Sequence, residues 1–327
     1  MTTRVFFFSI FVAIGFLNGG NAALAQNEPQ FTQYMFNRLL LNPAYAGSNK
    51  GLELTGVARI QYVGLANTVS TTQGLSVSSS VAALHGGVGL TLVNDMIGLQ
   101  RSTGLQLSYA YQKRFSQFSL GVAAGVGFIN TNIDGSKIIT PDGEYTSAIN
   151  HKDPQLPIAN SNAFSPDFSV GIYLGNEKYF ASVAANHLYT TQKINGVSSK
   201  FFYTNDRYFQ LSGGYNFVLS KNLKLQPTLA LKTNFQKVQM DLSTLLTIRD
   251  NIMTGIAFRG YSAKTIDAFS FFLGGYFKGF KLVYSYDANI SFLRSFNTGT
   301  HEISLSYFMP YKPTIIKGAY YHNSRFL

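Results

Sequence analysis

Asp287 and Glu302 are the residues best placed to do chemistry in this chain. They lie on the less apolar positions of two alternating segments, 280–288 and 299–309, and so share one face of neighbouring strands. Lys281 and Arg259 occupy comparable positions and are candidate cationic partners. Buried charges need partners, so the first reading is an internal ion network that stiffens the fold. The second is a contact surface for a chain entering a lumen. His301 precedes Glu302 directly, and neighbours on a strand point to opposite faces, which places the two poorly as a catalytic pair. The other histidines are His85, His151, His187 and His322, and no H-x-x-H or H-E-x-x-H pattern occurs. Serines abound, yet no G-x-S-x-G, Walker or dinucleotide fingerprint sits in a strand–helix context. The acids within 131–135 and 140–144 are of a kind that touches calcium, but solvated turn acids explain them more simply. With no Cys, thiolate metal sites, cysteine catalysis and disulfides are excluded. These residues point to no enzyme, with no catalytic, metal or cofactor-binding residues and no cofactor.

What must position Asp287 and Glu302 is a set of alternating strands. In 118–128, Phe118, Leu120, Val122, Ala124, Val126 and Phe128 form one face, while Ser119, Gly121, Ala123, Gly125 and Gly127 form the other. No helical period gives that split. Leu105, Leu107, Tyr109 and Tyr111 repeat the pattern, as do Phe280, Leu282, Tyr284 and Tyr286. Leu223, Leu225, Leu229 and Leu231 do so around Pro227, which removes one ladder donor. About fourteen strands follow, an even number as expected for a bacterial single-chain barrel. They are 52–62, 71–82, 86–93, 102–114, 117–129, 166–175, 178–187, 206–219, 222–234, 237–246, 252–260, 267–277, 280–288 and 299–309. Every second connection is short, while the long ones, 130–165, 188–205 and 289–298, share the other parity. Short periplasmic turns and long outer loops are the signature of a membrane barrel. A soluble sandwich has no reason to show it.

Composition agrees. Aromatic residues make up 15% of the chain and charged residues only 13%, with 30 Gly and no Trp. The formal net charge of +11 comes from scattered Lys and Arg, which suits anionic lipid headgroups or an acidic partner and not nucleic acid. Arg4, the apolar run 5–17 and Ala23-Leu24-Ala25 read as a secretory signal peptide over 1–25, leaving Gln26 as the first mature residue. The apolar run is short for a helical span of ~20 residues. The expected fold is therefore all-β, an integral outer-membrane barrel over 51–309 with a short N-terminal helical segment.

Two regions fall outside the wall. Residues 26–50 do not alternate; Phe31, Tyr34, Met35, Arg38 and Leu39 have helical spacing, broken by Asn42-Pro43 and ended by Gly47. The segment is expected to plug the lumen or to dock a periplasmic partner. Residues 310–327 form a basic, aromatic tail on the periplasmic side.

The stretch from Gln30 and Phe31 through Tyr34, Phe36 and Asn37 to Asn42, Pro43, Tyr45 and Gly47 resembles the N-terminal motif of the PorP/SprF family. Arg59-Ile60-Gln61-Tyr62 resembles its first-strand motif, with Tyr62 where the family usually has Trp. Asp95–Gly98 and Phe164–Phe168 also fit, and Asp287, His301 and Glu302 fall in stretches similar to its C-terminal motif. The similarity covers essentially the whole mature chain. It implies a non-enzymatic outer-membrane component of the type IX secretion system of Bacteroidota. Such a component binds, helps secrete or anchors cargo, such as a gliding adhesin, through the cargo's C-terminal domain. The implied partners are that domain, the translocon barrel, and a periplasmic ring of a lipoprotein with its associated protein. The N-terminal segment and the tail would face the periplasmic machinery, and the outer loops the cargo. A passive porin-like channel and a structural link from the membrane to the ring are the alternatives.

Overall fold

The computed structural model describes residues 28–65, 70–146, 148–153, 156–189, 191–195, 202–204, 206–261 and 265–311. The expected signal peptide and all but the first two residues of the expected tail lie outside them. The wall is a closed antiparallel barrel of fourteen strands. They are β1 (Gly51–Gln61), β2 (Ser70–Val81), β3 (Gly86–Ile97), β4 (Gln100–Arg114), β5 (Ser119–Asp134), β6 (Asn160–Gly175) and β7 (Tyr179–Asn186). There follow β8 (Tyr208–Tyr215, resuming as Phe217–Ser220), β9 (Leu223–Thr233), β10 (Val238–Ile248), β11 (Ile252–Tyr261), β12 (Thr265–Phe277), β13 (Phe280–Asn289) and β14 (Thr300–Pro310). Each strand pairs with the next. The seam closes where β14 returns to β1, from Gly51 opposite Pro310 to Ile60 opposite His301.

The alternation runs inside out compared with a water-soluble protein. Along β6, Phe164, Phe168, Val170 and Ile172 are exposed, while Ser165, Asp167, Ser169 and Gly171 are buried. The expected apolar face of β5 is likewise the outer one, with Val122 and Val126 exposed and Gly121, Ala123 and Gly125 turned inward. An apolar exterior belongs in lipid, and closure leaves no unpaired strand edge inside it. Pro227 leaves its mark on the neighbouring strand. The pairing of β8 with β9 stops at Gly214–Thr228 and resumes at Phe217–Leu225, and the amide of Asn216 turns to the carbonyl of Lys178 at 2.6 Å.

The tight turns of one end stand as expected. At the other end β5 and β6 run further than the alternation of large apolar residues suggested. Their pairing continues through Asn130–Phe164 to Asp134–Asn160, and the connection shrinks to 135–159. Polar strand residues suffice here, because the ladder itself satisfies the backbone. His151, buried within that connection, holds it together: Nε2 lies 3.1 Å from the carbonyls of both Gly135 and Pro157. Between β7 and β8 the chain forms a small hairpin, Thr191–Asn195 with Phe202–Thr204, whose first arm pairs with β6 at Asn162 and Ala163.

The expected N-terminal helix is not an α-helix. Between Glu28 and β1 the regular structure is two single turns of 3-10 helix, Arg38–Leu40 and Pro43–Tyr45. The segment is enclosed by the wall on all sides, so its amides find partners in the wall and no longer need a helix to satisfy them.

Candidate functional site

The N-terminal segment fills the barrel. Tyr34, Met35, Phe36, Asn37, Leu39, Asn42, Ala44, Tyr45 and Ala46 are all buried. Its fit depends on small inward residues of the wall. Gly87 meets the backbone of Gly47, which has φ +68, and Gly171 meets Asn42 Oδ1; neither spot has room for a Cβ. Gly121 faces the carbonyl of Ala44 in the same way.

Toward the long-loop end of the lumen is an ion cluster. Arg59 on β1 and Glu302 on β14 are register partners across the closing seam. The Arg59 guanidinium bridges Asp287 and Glu302 at 2.8 Å each. Arg259 on β11 binds Asp241 on β10 at 2.7 Å and approaches Asp287 at 3.6 Å. The plug completes the cluster. The amides of Thr32 and Gln33 donate to the two oxygens of Glu302 at 2.8 and 2.9 Å. Thr32 Oγ1 donates to Asp287 at 2.7 Å and accepts from Arg59 at 2.6 Å. Gln33 Nε2 reaches Ser285 Oγ and the carbonyl of Glu302 at 3.1 and 3.0 Å. Charges of both signs are thus paired and hydrogen-bonded, the condition under which burial is tolerated.

Lower contacts anchor the rest. Tyr34 offers its hydroxyl to Thr228 and Ser243. Burial pushes that phenol up to about 12 against the pull of these hydroxyls, so it stays a donor. Arg38 lies 3.9 Å over the Phe180 ring and donates to Tyr173 at 2.9 Å. Asn42 Nδ2 bonds the carbonyls of Ile172 and Val183, both at 3.0 Å, while its Oδ1 caps Ala44. Pro43 opens the second turn and Tyr45 donates to Glu53. Ser76 donates to Asn37 and the amide of Gly47 to Ser78. Gln30 accepts from Gln61, and Phe31 borders a cavity of about 110 Å³ under the mouth, walled by Glu28, Asp95, Asp167, His187 and Tyr208.

His301 stands apart from the plug and the ion cluster. It lies on the outer side of β14, 2.7 Å from the Tyr284 hydroxyl. Lys281 is not a partner of the carboxylates: it sits 4.8 Å over the Phe36 ring. Six residues along a strand amount to roughly 20 Å, which separates it from Asp287. Arg259 is such a partner, as expected. The sequence assigned no role to Thr32, Gln33, Asp241 or the Glu28–His187–Asp167 chain, although Asp241 stands opposite Arg259 in the register.

The cluster is enclosed, and its members are bonded to each other and to the plug. The family model for the type IX secretion system membrane protein PorP/SprF matches residues 23–307. This chain belongs to the PorP/SprF family. Among curated proteins none matches it. Among solved structures, the Pseudomonas putida toluene transporter TodX is similar at 8% identity and a TM-score of 0.49, over 83% of this chain and 93% of that one. The CymD monoaromatic hydrocarbon channel is 13% identical with a TM-score of 0.46, over 92% and 97%. Omp33 of Acinetobacter baumannii is 9% identical with a TM-score of 0.43, over 80% and 100%. What those proteins carry is no guide to this PorP/SprF chain, whose plug contacts come from its own sequence.

Proposed function

We propose that this PorP/SprF protein is a non-enzymatic outer-membrane component of type IX secretion in Bacteroidota. In this reading it receives and anchors secreted cargo, such as a gliding adhesin, by the cargo's C-terminal domain. The observation that carries the proposal is the lumen filled by residues 28–48 and locked to the seam by Arg59, Asp287 and Glu302. A barrel closed in this way offers its surfaces rather than its bore. The cargo domain docks on the outer connections 135–159 and 187–207. The translocon barrel lies alongside in the membrane. The periplasmic ring lipoprotein and its associated protein meet the tight turns and the tail 310–327. The signal peptide 1–25 directs export and is removed. Gln30, Phe31, Tyr34, Phe36, Asn37, Asn42, Pro43, Tyr45 and Gly47 hold the plug in place, and Arg59, Asp287 and Glu302 lock it; His301 belongs to the outer surface of the seam.

A gentle detergent pull-down from native outer membranes, with every co-purifying chain identified, tests this. Recovery of an adhesin C-terminal domain or of type IX components supports it. Recovery of the barrel alone, under conditions that keep other membrane complexes intact, overturns it. The cavity under the mouth favours a second reading, a passive channel. A steady conductance of the purified protein in planar bilayers would establish that reading, and a silent bilayer would remove it.

A further inference from the structure

The order in which the plug visits the wall fixes its direction. Glu28 touches His187, the residue after β7, and Gln30 touches Gln61 at the end of β1. Asn42 reaches Ile172, near the tight-turn end of β6, and Val183, midway along β7. Gly47 lies against Gly87 and Ser78, beside the start of β1 at Gly51. The chain therefore runs once along the lumen. It goes from the mouth with connections 135–159 and 187–207 to the face with the tight turns, and there reverses into β1. Long connections belong outside the cell and tight turns in the periplasm, which puts Glu28 at the extracellular mouth.

Cleavage after Ala25, as proposed above, makes Gln26 the first residue, two positions before Glu28. Two extended residues reach at most ~7 Å. The eleven residues of β1 rise about 36 Å along their strand. A terminus starting at Glu28 cannot return to the periplasm over that distance. The other end behaves differently: the amide of Tyr311, after β14, bonds the carbonyl of Lys50 at the periplasmic rim.

We infer that the mature amino terminus opens on the cell surface beside the long loops, while the carboxyl end leaves into the periplasm. This reverses the expectation that the N-terminal segment faces periplasmic machinery. A partner that grips the amino terminus is a protein outside the cell. The inference is independent of cargo docking and holds equally for a channel; it rests on the signal cleavage and on the orientation of the loops.

The absence of Cys gives a clean test. A flexible Gly–Ser segment carrying one Cys is inserted between Gln26 and Asn27, and intact cells are treated with a membrane-impermeant maleimide. Asp142→Cys in connection 135–159 serves as the outer control and Lys221→Cys in a tight turn as the periplasmic one. The expected result is modification within about twofold of Asp142→Cys without opening the outer membrane. Modification only after permeabilisation, as for Lys221→Cys, overturns the inference, and so does no modification on either side. Labelling of Lys221→Cys instead of Asp142→Cys in intact cells overturns the orientation it rests on. Should the insertion block folding, Asn27→Cys with a small charged thiosulfonate reagent is read by the same criteria. A cargo pull-down is unaffected by any of these outcomes, so the two proposals fail separately.

Discussion

Removing Arg59 should release the plug. In Arg59→Met the guanidinium that touches Asp287 and Glu302 at 2.8 Å each is gone. At an effective dielectric constant of about 20, each contact carries roughly 6 kcal/mol of gross attraction. Most of that is offset by the cost of bringing the ions out of water. What remains when one partner is deleted is a buried charge without compensation, typically ~3–5 kcal/mol. Glu302 loses its ion partner here and Asp287 keeps only Arg259 at 3.6 Å, so a loss of about 3–5 kcal/mol is expected. The assay is denaturant unfolding of the barrel in lipid vesicles, read by the mobility shift of the folded form on gels. Protease nicking of residues 28–48 is followed in parallel. The charge-free variant Arg59→Met with Asp287→Asn and Glu302→Gln should recover at least half of the loss, since a neutral interior is often as stable as an ionic one. If Arg59→Met stays within ~1 kcal/mol of the parent, or if nicking is unchanged, the cluster is no lock.

Gly171→Ala drives a methyl group into Asn42 Oδ1 and should cost ~1–3 kcal/mol by overpacking, with faster nicking of the plug; an unchanged midpoint would mean that Asn42 does not sit there. Leu107→Arg places a cation on the exposed apolar face of β4 and should cost ~2–4 kcal/mol if it lies near the bilayer midplane, measured by the same unfolding assay. The upper end of the plug should respond to pH. Burial alone would lower the His187 imidazolium, but Glu28 and Asp167 overrule it and raise its pKa to about 10. Burial would likewise raise the Glu28 carboxyl, and His187 and Lys232 bring it below its usual value of 4.5. The His187 contribution is therefore complete below its ordinary pKa of 6.5 and lost as pH rises through about 10, whereas that of Glu28 is present above 4.5 and lost as pH falls below it. Nicking near Glu28 by a protease active from neutral to alkaline pH should accelerate toward pH 10 in the parent, while His187→Gln should show a flat profile.

The wall was legible because a barrel strand has a period of two and nothing else in the chain imitates it. Even Pro227 announced the local fault that it causes. The outer ends of β5 and β6 were less so, because Asn130, Asn132 and Asn162 carry no apolar alternation above the lipid. The plug misled in a specific way. Phe31, Tyr34, Met35, Arg38 and Leu39 follow a helical spacing, but spacing signals a helix only when one face meets a core and the other meets water. Inside a lumen every direction is core. The approach of Arg259 to Asp287 could be read from strand alternation, and the role of Arg59 only from its register with Glu302, which a sequence does not print.

Arg59 and Glu302 are separated by most of the chain, yet they face each other where the first strand meets the last. Pairing across that seam closes the longest loop the molecule contains, and so carries the largest loop-closure entropy of all its strand pairings. Thr32 and Gln33, bound to Glu302 and Asp287 on the last two strands, lie only a few tens of residues from Arg59 on the first. The plug thus works as a splint: once it grips β13 and β14, it delivers β1 to its partner. With the plug on β13 and β14, the loop left to close between Thr32 and Arg59 is a few tens of residues long instead of most of the chain.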